Sequence, residues 1–396
     1  MKGWTDIVDR FALQRNVLVI STTLFFMVMS FFSWYLLLPI YLRQLGASNF
    51  QVALSYSLLT ISYSAMQMVG GFLADRVGRK PVIVWPTFCA VLLYYLAGIS
   101  RSWPSLILFL VLVDIASALQ WPAFLSMLSE SVSSRRQGAA FSLMELFIVA
   151  GITVGPAVGA ALLPRFGFSG LMMVTALLAL PCSLVRSFLL RETMERAATE
   201  KMPKRFFSLP RRHWSFLMAA IFLAVALTLT MYGPFIALYA KDIIGLAESR
   251  INLMFALGGL AAVSVSLAGG RIIDRTGSLK VLRFCLLAFP LMMIAWTRTG
   301  GFVGTTVLYV VAYLFFHAVN ICYQIQLTSI GPSKSRGSLV GVFGSISGVI
   351  SAAGPLLGGL LVASAGQATP FYLALLFAVL SFYFFSRSGV STGQRG

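Results

Sequence analysis

Apolar residues along this chain do not alternate with polar ones, as they would in a half-buried strand; they run in blocks of about twenty, parted by short polar segments. Twelve such blocks stand at residues 17–42, 50–74, 81–99, 104–128, 138–163, 169–190, 213–239, 250–273, 281–297, 303–328, 339–364 and 369–386. Most are long enough to cross a hydrocarbon core of roughly 30 Å as a helix rising about 1.5 Å per residue, and the shorter ones still fall within the roughly 17–25 residues that spanning helices use. Several exceed that need, so tilt or curvature is expected, and Pro39, Pro122, Pro156, Pro234 and Pro355 offer places for it.

The long hydrophilic stretch at residues 191–212 leaves six blocks on either side. The predicted organisation is therefore a cytoplasmic amphipathic segment (1–16), a six-helix bundle (17–190), a cytoplasmic central loop (191–212), a second six-helix bundle (213–387) and a cytoplasmic tail (388–396). In the first segment Trp4, Ile7, Val8 and Phe11 fall opposite Lys2, Asp6 and Asp9, as in a short helix lying on a membrane surface.

The two halves repeat each other. Asp75 and Asp274, Gly138 and Gly337, Gly155-Pro156 and Gly354-Pro355, Gly159 and Gly358, and Gly167 and Gly366 are all separated by 199 residues. Six spans per half make the repeats parallel, the arrangement of transporters whose halves rock around a central site.

Composition agrees: 58% of residues are hydrophobic and 11% charged. The net charge of +18 does not point to nucleic acid, because the cations are scattered between apolar blocks and form no basic stripe. With a cytoplasmic amino terminus, the inner segments, counting Arg186 at the end of the sixth block, hold 24 of the 30 Lys and Arg and the outer segments six, the bias expected of an even number of spans. The first sixteen residues hold no apolar stretch and cleavage site of the kind a signal peptide needs. Cys89, Cys182, Cys285 and Cys322 stand alone inside apolar blocks, without metal-ligand or redox spacing, and read as core residues.

Between the second and third blocks the chain reads Gly71-Phe72-Leu73-Ala74-Asp75-Arg76-Val77-Gly78-Arg79-Lys80. This closely resembles the GxLaDrxGrk signature of the major facilitator superfamily, with a looser second copy from Gly270 that includes Asp274 and Arg275. The resemblance implies an all-α integral membrane fold of twelve helices in two bundles. Gly71 allows close helix approach, Gly78 a tight turn, and Arg76, Arg79 and Lys80 suit an anionic inner leaflet. Asp75 is expected to meet the helix start near Gly337 and Ser338, and Glu130 with Arg136 to add an inner ion pair. Gly151, Gly155, Pro156 and Gly159, repeated as Gly354, Pro355 and Gly358, offer a flat packing face with a bend. They resemble a family element associated with antiporters, which favours export.

The resemblance also implies a cavity lined by spans one, four, seven and ten. Asp114 lies mid-way along span four, where an ionised carboxylate costs about 2.5–3.5 kcal/mol or more unless paired, hydrated or protonated. It is the candidate proton carrier, or the counter-charge to a cationic substrate. Tyr313, His317, Asn320 and Gln324 share one stripe of span ten, and because an ordinary imidazole titrates near neutrality His317 is a candidate to exchange a proton with Asp114. Ser117, Gln120, Trp121, Trp34, Tyr35 and Tyr232 could line a site for an amphipathic or organic solute, through cation-π contacts if that solute is cationic. Glu145 is either a second protonatable group or a partner of the inner gate.

These readings predict a secondary transporter of a small organic solute, a proton antiporter working in efflux as a monomer in the inner membrane. Uptake of a sugar, carboxylate or nucleoside by symport or facilitation is the alternative, and a transport-dead sensor or lipid-handling protein a remoter one. An enzyme is not expected: His213 and His317 have no metal-site spacing, and no GxxxxGK[ST] phosphate loop is present. No cofactor is implied beyond the coupling proton.

Overall fold

The computed structural model describes residues 14–133, 136–194, 211–328 and 336–388, with side chains left undescribed at 211–212, 264–272, 274, 328 and 336–342. The expected amphipathic helix at Trp4–Phe11, most of the central loop, and all of the tail after Ser388 lie outside these residues. Every regular element among the described residues is helical.

α1 (Arg15–Phe32) passes through a 3-10 turn (Tyr35–Leu37) into α2 (Leu38–Gln44). Then come α3 (Asn49–Val77), α4 (Arg79–Ile99), α5 (Trp103–Glu130) and α6 (Gln137–Leu189). The second half holds α7 (Arg211–Thr228), α8 (Phe235–Asp242), α9 (Glu248–Thr276), α10 (Ser278–Trp296) and α11 (Phe302–Thr328). It closes with α12 (Arg336–Ser351), α13 (Ala353–Ala365) and α14 (Thr369–Arg387). Nine stretches among the described residues are long and apolar enough to cross a bilayer, and His213–Thr228 adds a shorter apolar helix.

Helix and block coincide except where the chain bends. α6 joins two expected blocks in 53 residues, and the break between them is Gly167, at φ 64° and ψ −178°, a conformation open to a residue without Cβ. Spans one and seven, expected to be continuous, are each interrupted toward their far end, at Ser33–Leu37 and at Leu229–Pro234. In the second break a Cβ on Gly233 would collide with the Thr228 carbonyl, and Pro234 has no N–H to continue the ladder.

The chain divides into two compact units, Met1–Gly46 with Ser62–Glu200 and Ala47–Ile61 with Lys201–Gly396. The first turns of α3 thus group with the second unit, which the pattern of blocks did not indicate. Within the first unit α1 packs along α6, and α4 against α5 and α6. The α1–α6 seam is made by glycine: a Cβ on Gly155 would stand 2.6 Å from the Met29 carbonyl oxygen, and one on Gly151 3.0 Å from that of Phe25. Pro156 and Gly159 are buried beside them.

Within the second unit the seam recurs. Gly354 is pressed against Thr228, and Gly358 against Phe235 and, at 3.0 Å from a built Cβ, Leu229. Met29 and Thr228 are themselves 199 residues apart, so both sides of the contact repeat. Pro355 is buried next to Gly354.

Candidate functional site

The first unit presents a carboxylate among phenols. Asp114 is half-buried at the middle of α5, and no Lys or Arg among the described residues pairs with it. Tyr35, Tyr63 and Tyr94 lie within electrostatic reach of it. Tyr35 is stacked on Phe31 with ring centroids 4.3 Å apart, and Tyr63 shares a hydrogen bond with Gln67 one turn along α3.

Trp34 is not part of that lining. The 3-10 turn swings it into the bundle, where it is fully buried and its indole N–H donates to Thr175 Oγ1 at 3.0 Å. Gln120 is likewise committed, accepting from Thr87 Oγ1 at 2.8 Å and Arg186 Nη1 at 3.0 Å. Ser117 remains half-buried, Trp121 packs on the cluster around Phe124, and Glu145 is exposed on α6.

Arg186 itself, counted above among the inner-segment cations, is fully buried inside the first unit. Side chains on a helix lean toward its N-terminus, so an arginine in the last turn of α6 reaches back into the bundle. Its Nε donates to Thr23 Oγ1 at 2.9 Å, Nη1 also donates to Thr87 Oγ1 at 2.8 Å, and its guanidinium lies 4.9 Å from the Phe124 centroid. No carboxylate joins it among the described residues.

At the end of α3 and the start of α4 the signature forms a charged network. Arg79 Nη1 donates to Asp75 Oδ1 at 2.6 Å, and its Nε and Nη2 to Glu130 Oε1 at 3.3 and 3.2 Å. Glu130 thus takes Arg79 as its partner in place of the expected Arg136: Arg79 opens α4 beside the end of α5, whereas Arg136 is the N-cap of α6. Gly78 makes the turn at φ 111°, and Arg76 lies over Phe72 at 4.2 Å. Gly71 is not the close-approach glycine: a Cβ there would have 3.7 Å to Pro122, whereas one on Gly70 would strike the backbone of Leu119. Lys80 is half-buried and Arg275 exposed, while the Asp274 side chain and those of Gly337 and Ser338 lie outside the description.

The second unit presents the other half of the polar inventory. On α11, Tyr313 packs against Tyr309 and Phe316, Asn320 Nδ2 donates to the Phe316 carbonyl at 3.0 Å, and Gln324 is exposed. The Tyr232 hydroxyl, in the break between α7 and α8, donates to Asn320 Oδ1 at 3.4 Å. His317 is half-buried on the same helix.

Tyr63, Tyr94, Arg186 and Glu192 were not singled out by sequence. The polar run Ser62-Tyr63-Ser64 with Gln67, inside an apolar block, was the available signal for Tyr63.

The Major Facilitator Superfamily family model matches residues 18–343 and, overlapping it, 218–396. Among curated relatives, the chain is 24% identical over 361 residues to a Cupriavidus necator protein named "Probable sulfoacetate transporter SauU", covering 83% of this chain and 82% of that one. It is 27% identical over 274 residues to multidrug resistance protein MdtG of Klebsiella pneumoniae, covering 65% of each. Among solved structures, a bacterial homologue of the human lysosomal transporter Spinster superposes with a TM-score of 0.77 at 15% identity, over 96% of this chain and 97% of that one. The nucleoside transporter NupG does so with 0.75 at 17%, over 94% and 99%. The chain is a multi-pass integral membrane protein and belongs to the Major Facilitator Superfamily of transporters.

Proposed function

We propose that this protein is a proton-coupled antiporter that exports a small amphipathic or organic solute by alternating access, with Asp114 as the group that exchanges its proton for the solute. It works as a monomer of twelve spans in the inner membrane, both termini cytoplasmic and its basic inner segments against anionic lipid, and it needs no cofactor. The observation that carries the reading is the half-buried Asp114 at mid-span, without a basic partner among the described residues and within electrostatic reach of three tyrosine side chains. A carboxyl so placed has two accessible states, neutral or charged, and a solute that favours one of them is coupled to the proton.

The α11 stripe of Tyr313, His317, Asn320 and Gln324, with Tyr232, supplies the polar contacts that orient a solute. The relative named a multidrug resistance protein and the glycine seam of α6 both support export. Uptake of an anionic metabolite is the second reading, favoured by the relative named for sulfoacetate.

The test is movement in proteoliposomes of a solute first found by thermal-shift screening of the purified protein at two pH values. Export by antiport predicts that a proton gradient concentrates the solute in the compartment from which protons flow. Accumulation in the same direction as proton flow, or movement indifferent to the gradient, would overturn it in favour of symport or facilitation.

A further inference from the structure

α4 begins with a problem of unpaired donors. The first N–H groups of a helix have no partner within it, and the residue before α4 is Gly78, which has no side chain to cap them. The Gly78 N–H is met by the Ala74 carbonyl at 3.2 Å, and Pro81 has no N–H to satisfy. Two donors remain, on Arg79 and Lys80.

Both are met by a residue more than a hundred positions later. Arg79 N–H donates to Glu192 Oε1 at 3.0 Å and Lys80 N–H to Glu192 Oε2 at 3.0 Å. Oε1 also accepts from the N–H groups of Thr193 and Met194, at 2.9 and 3.0 Å. A Cβ on Gly78 would stand 2.7 Å from Oε2, so the glycine that turns the chain also makes room for this carboxylate.

The neighbours of Glu192 are fastened too. Thr193 Oγ1 donates to Glu130 Oε2 at 2.6 Å, on the same carboxylate that receives Arg79. Arg191 N–H donates to Asn16 Oδ1 at 2.9 Å, and Asn16 Nδ2 donates back to the Arg191 carbonyl at 3.0 Å.

We propose that Glu192 is a positioning residue of the inner-face network: it caps α4 from across the unit and fastens the start of the connection between the two halves to the Asp75–Arg79–Glu130 cluster. The charge of the carboxylate suits the positive end of α4, and its two oxygens divide the donors between them. Holding the Arg79 backbone fixes the origin of the guanidinium that bridges Asp75 and Glu130. Any displacement of residues 191–194 is thereby felt at that bridge. This role is independent of the coupling assigned to Asp114.

The test is hydrogen exchange read residue by residue on the full chain in lipid nanodiscs. In Glu192→Ala the amides of both Arg79 and Lys80 should exchange about tenfold faster or more, each having lost its acceptor at a helix end. In Glu192→Gln the amide oxygen takes the crowded Oε1 position, so Arg79 stays protected and Lys80 alone opens. In Thr193→Val, which severs the Glu130 contact but not the cap, both stay protected. A general loss of packing would speed exchange along α4 in all three variants alike. That outcome, or wild-type rates at both amides in Glu192→Ala, would overturn the proposal.

Discussion

The two units repeat one glycine seam and differ in what fills the bundle beside it. Where the first buries Arg186 among Thr23, Thr87, Gln120 and Phe124, the positions 199 residues on hold Phe385 in place of the arginine and Phe222, Leu286, Val319 and Tyr323 in place of its partners. The guanidinium over Phe124 becomes a ring edge against Tyr323, with centroids 6.4 Å apart. Asp114 likewise has Tyr313 as its counterpart. Glycine contacts such as Gly155 with Met29 and Gly354 with Thr228 persist because close helix approach tolerates no substituent. Side chains within the bundles diverge more freely, Arg186 meeting hydrogen-bond partners through Nε and Nη1 in one unit and Phe385 meeting rings in the other.

Exchanging the contents of the two units is the severest way to break this comparison. Phe385→Arg places a guanidinium between Phe216 and Tyr323 without the threonine hydroxyls that serve Arg186, a cost of several kcal/mol for an uncompensated buried charge. The expected outcome is loss of the folded species on size-exclusion chromatography in detergent. Next come Gly155→Leu and Gly354→Leu, each expected to lower stability by about 1–3 kcal/mol through overpacking. Thermal unfolding should show similar losses for both, and a harmless change in either would deny that the seams are equivalent.

Arg186→Leu leaves Thr87 and Gln120 short of a donor, at about 1–2 kcal/mol. Adding Gln120→Leu to that variant should recover part of the loss, which the same unfolding assay reads. Tyr232→Phe removes a 3.4 Å hydrogen bond to Asn320 and should cost about 0.5–1 kcal/mol or less, with its effect on solute affinity and not on yield.

Smallest is the pH dependence of the Glu192 cap. Burial pushes its carboxyl up, but N–H donors from Met194, Lys80, Arg79 and Thr193 outweigh it and hold the group below the usual range. A depressed value means the contribution is full above the unfolded value of about 4.3 and fades as pH falls through the folded one. Lys80 amide exchange, corrected for its intrinsic rate, should therefore stay flat from pH 7 to 5.

Much of this was legible in the pattern of residues. Helices followed the apolar blocks, because a segment that must satisfy its own backbone in lipid has little alternative. The repeat was legible through glycines and prolines, whose roles are set by backbone geometry and so survive divergence.

What stayed hidden depended on direction, which a linear pattern does not carry. Arg186 looked like a boundary cation from its place near a block's end, yet its side chain points inward. Trp34 looked like a lining residue until a 3-10 turn altered the register of span one. The sequence pairs Glu130 with Arg136, and it is the start of α4 that brings Arg79 to it instead. Glu192 could not be paired with Arg79 and Lys80 without knowing that the end of α6 returns to the start of α4.

The central claim is that Asp114 couples solute to proton. Asp114→Asn mimics the neutral acid permanently, so the most direct measurement compares two modes of transport in proteoliposomes holding this variant. Solute-for-solute exchange should persist while proton-driven accumulation falls to the level of empty liposomes. Accumulation that continues at the wild-type rate would contradict the account.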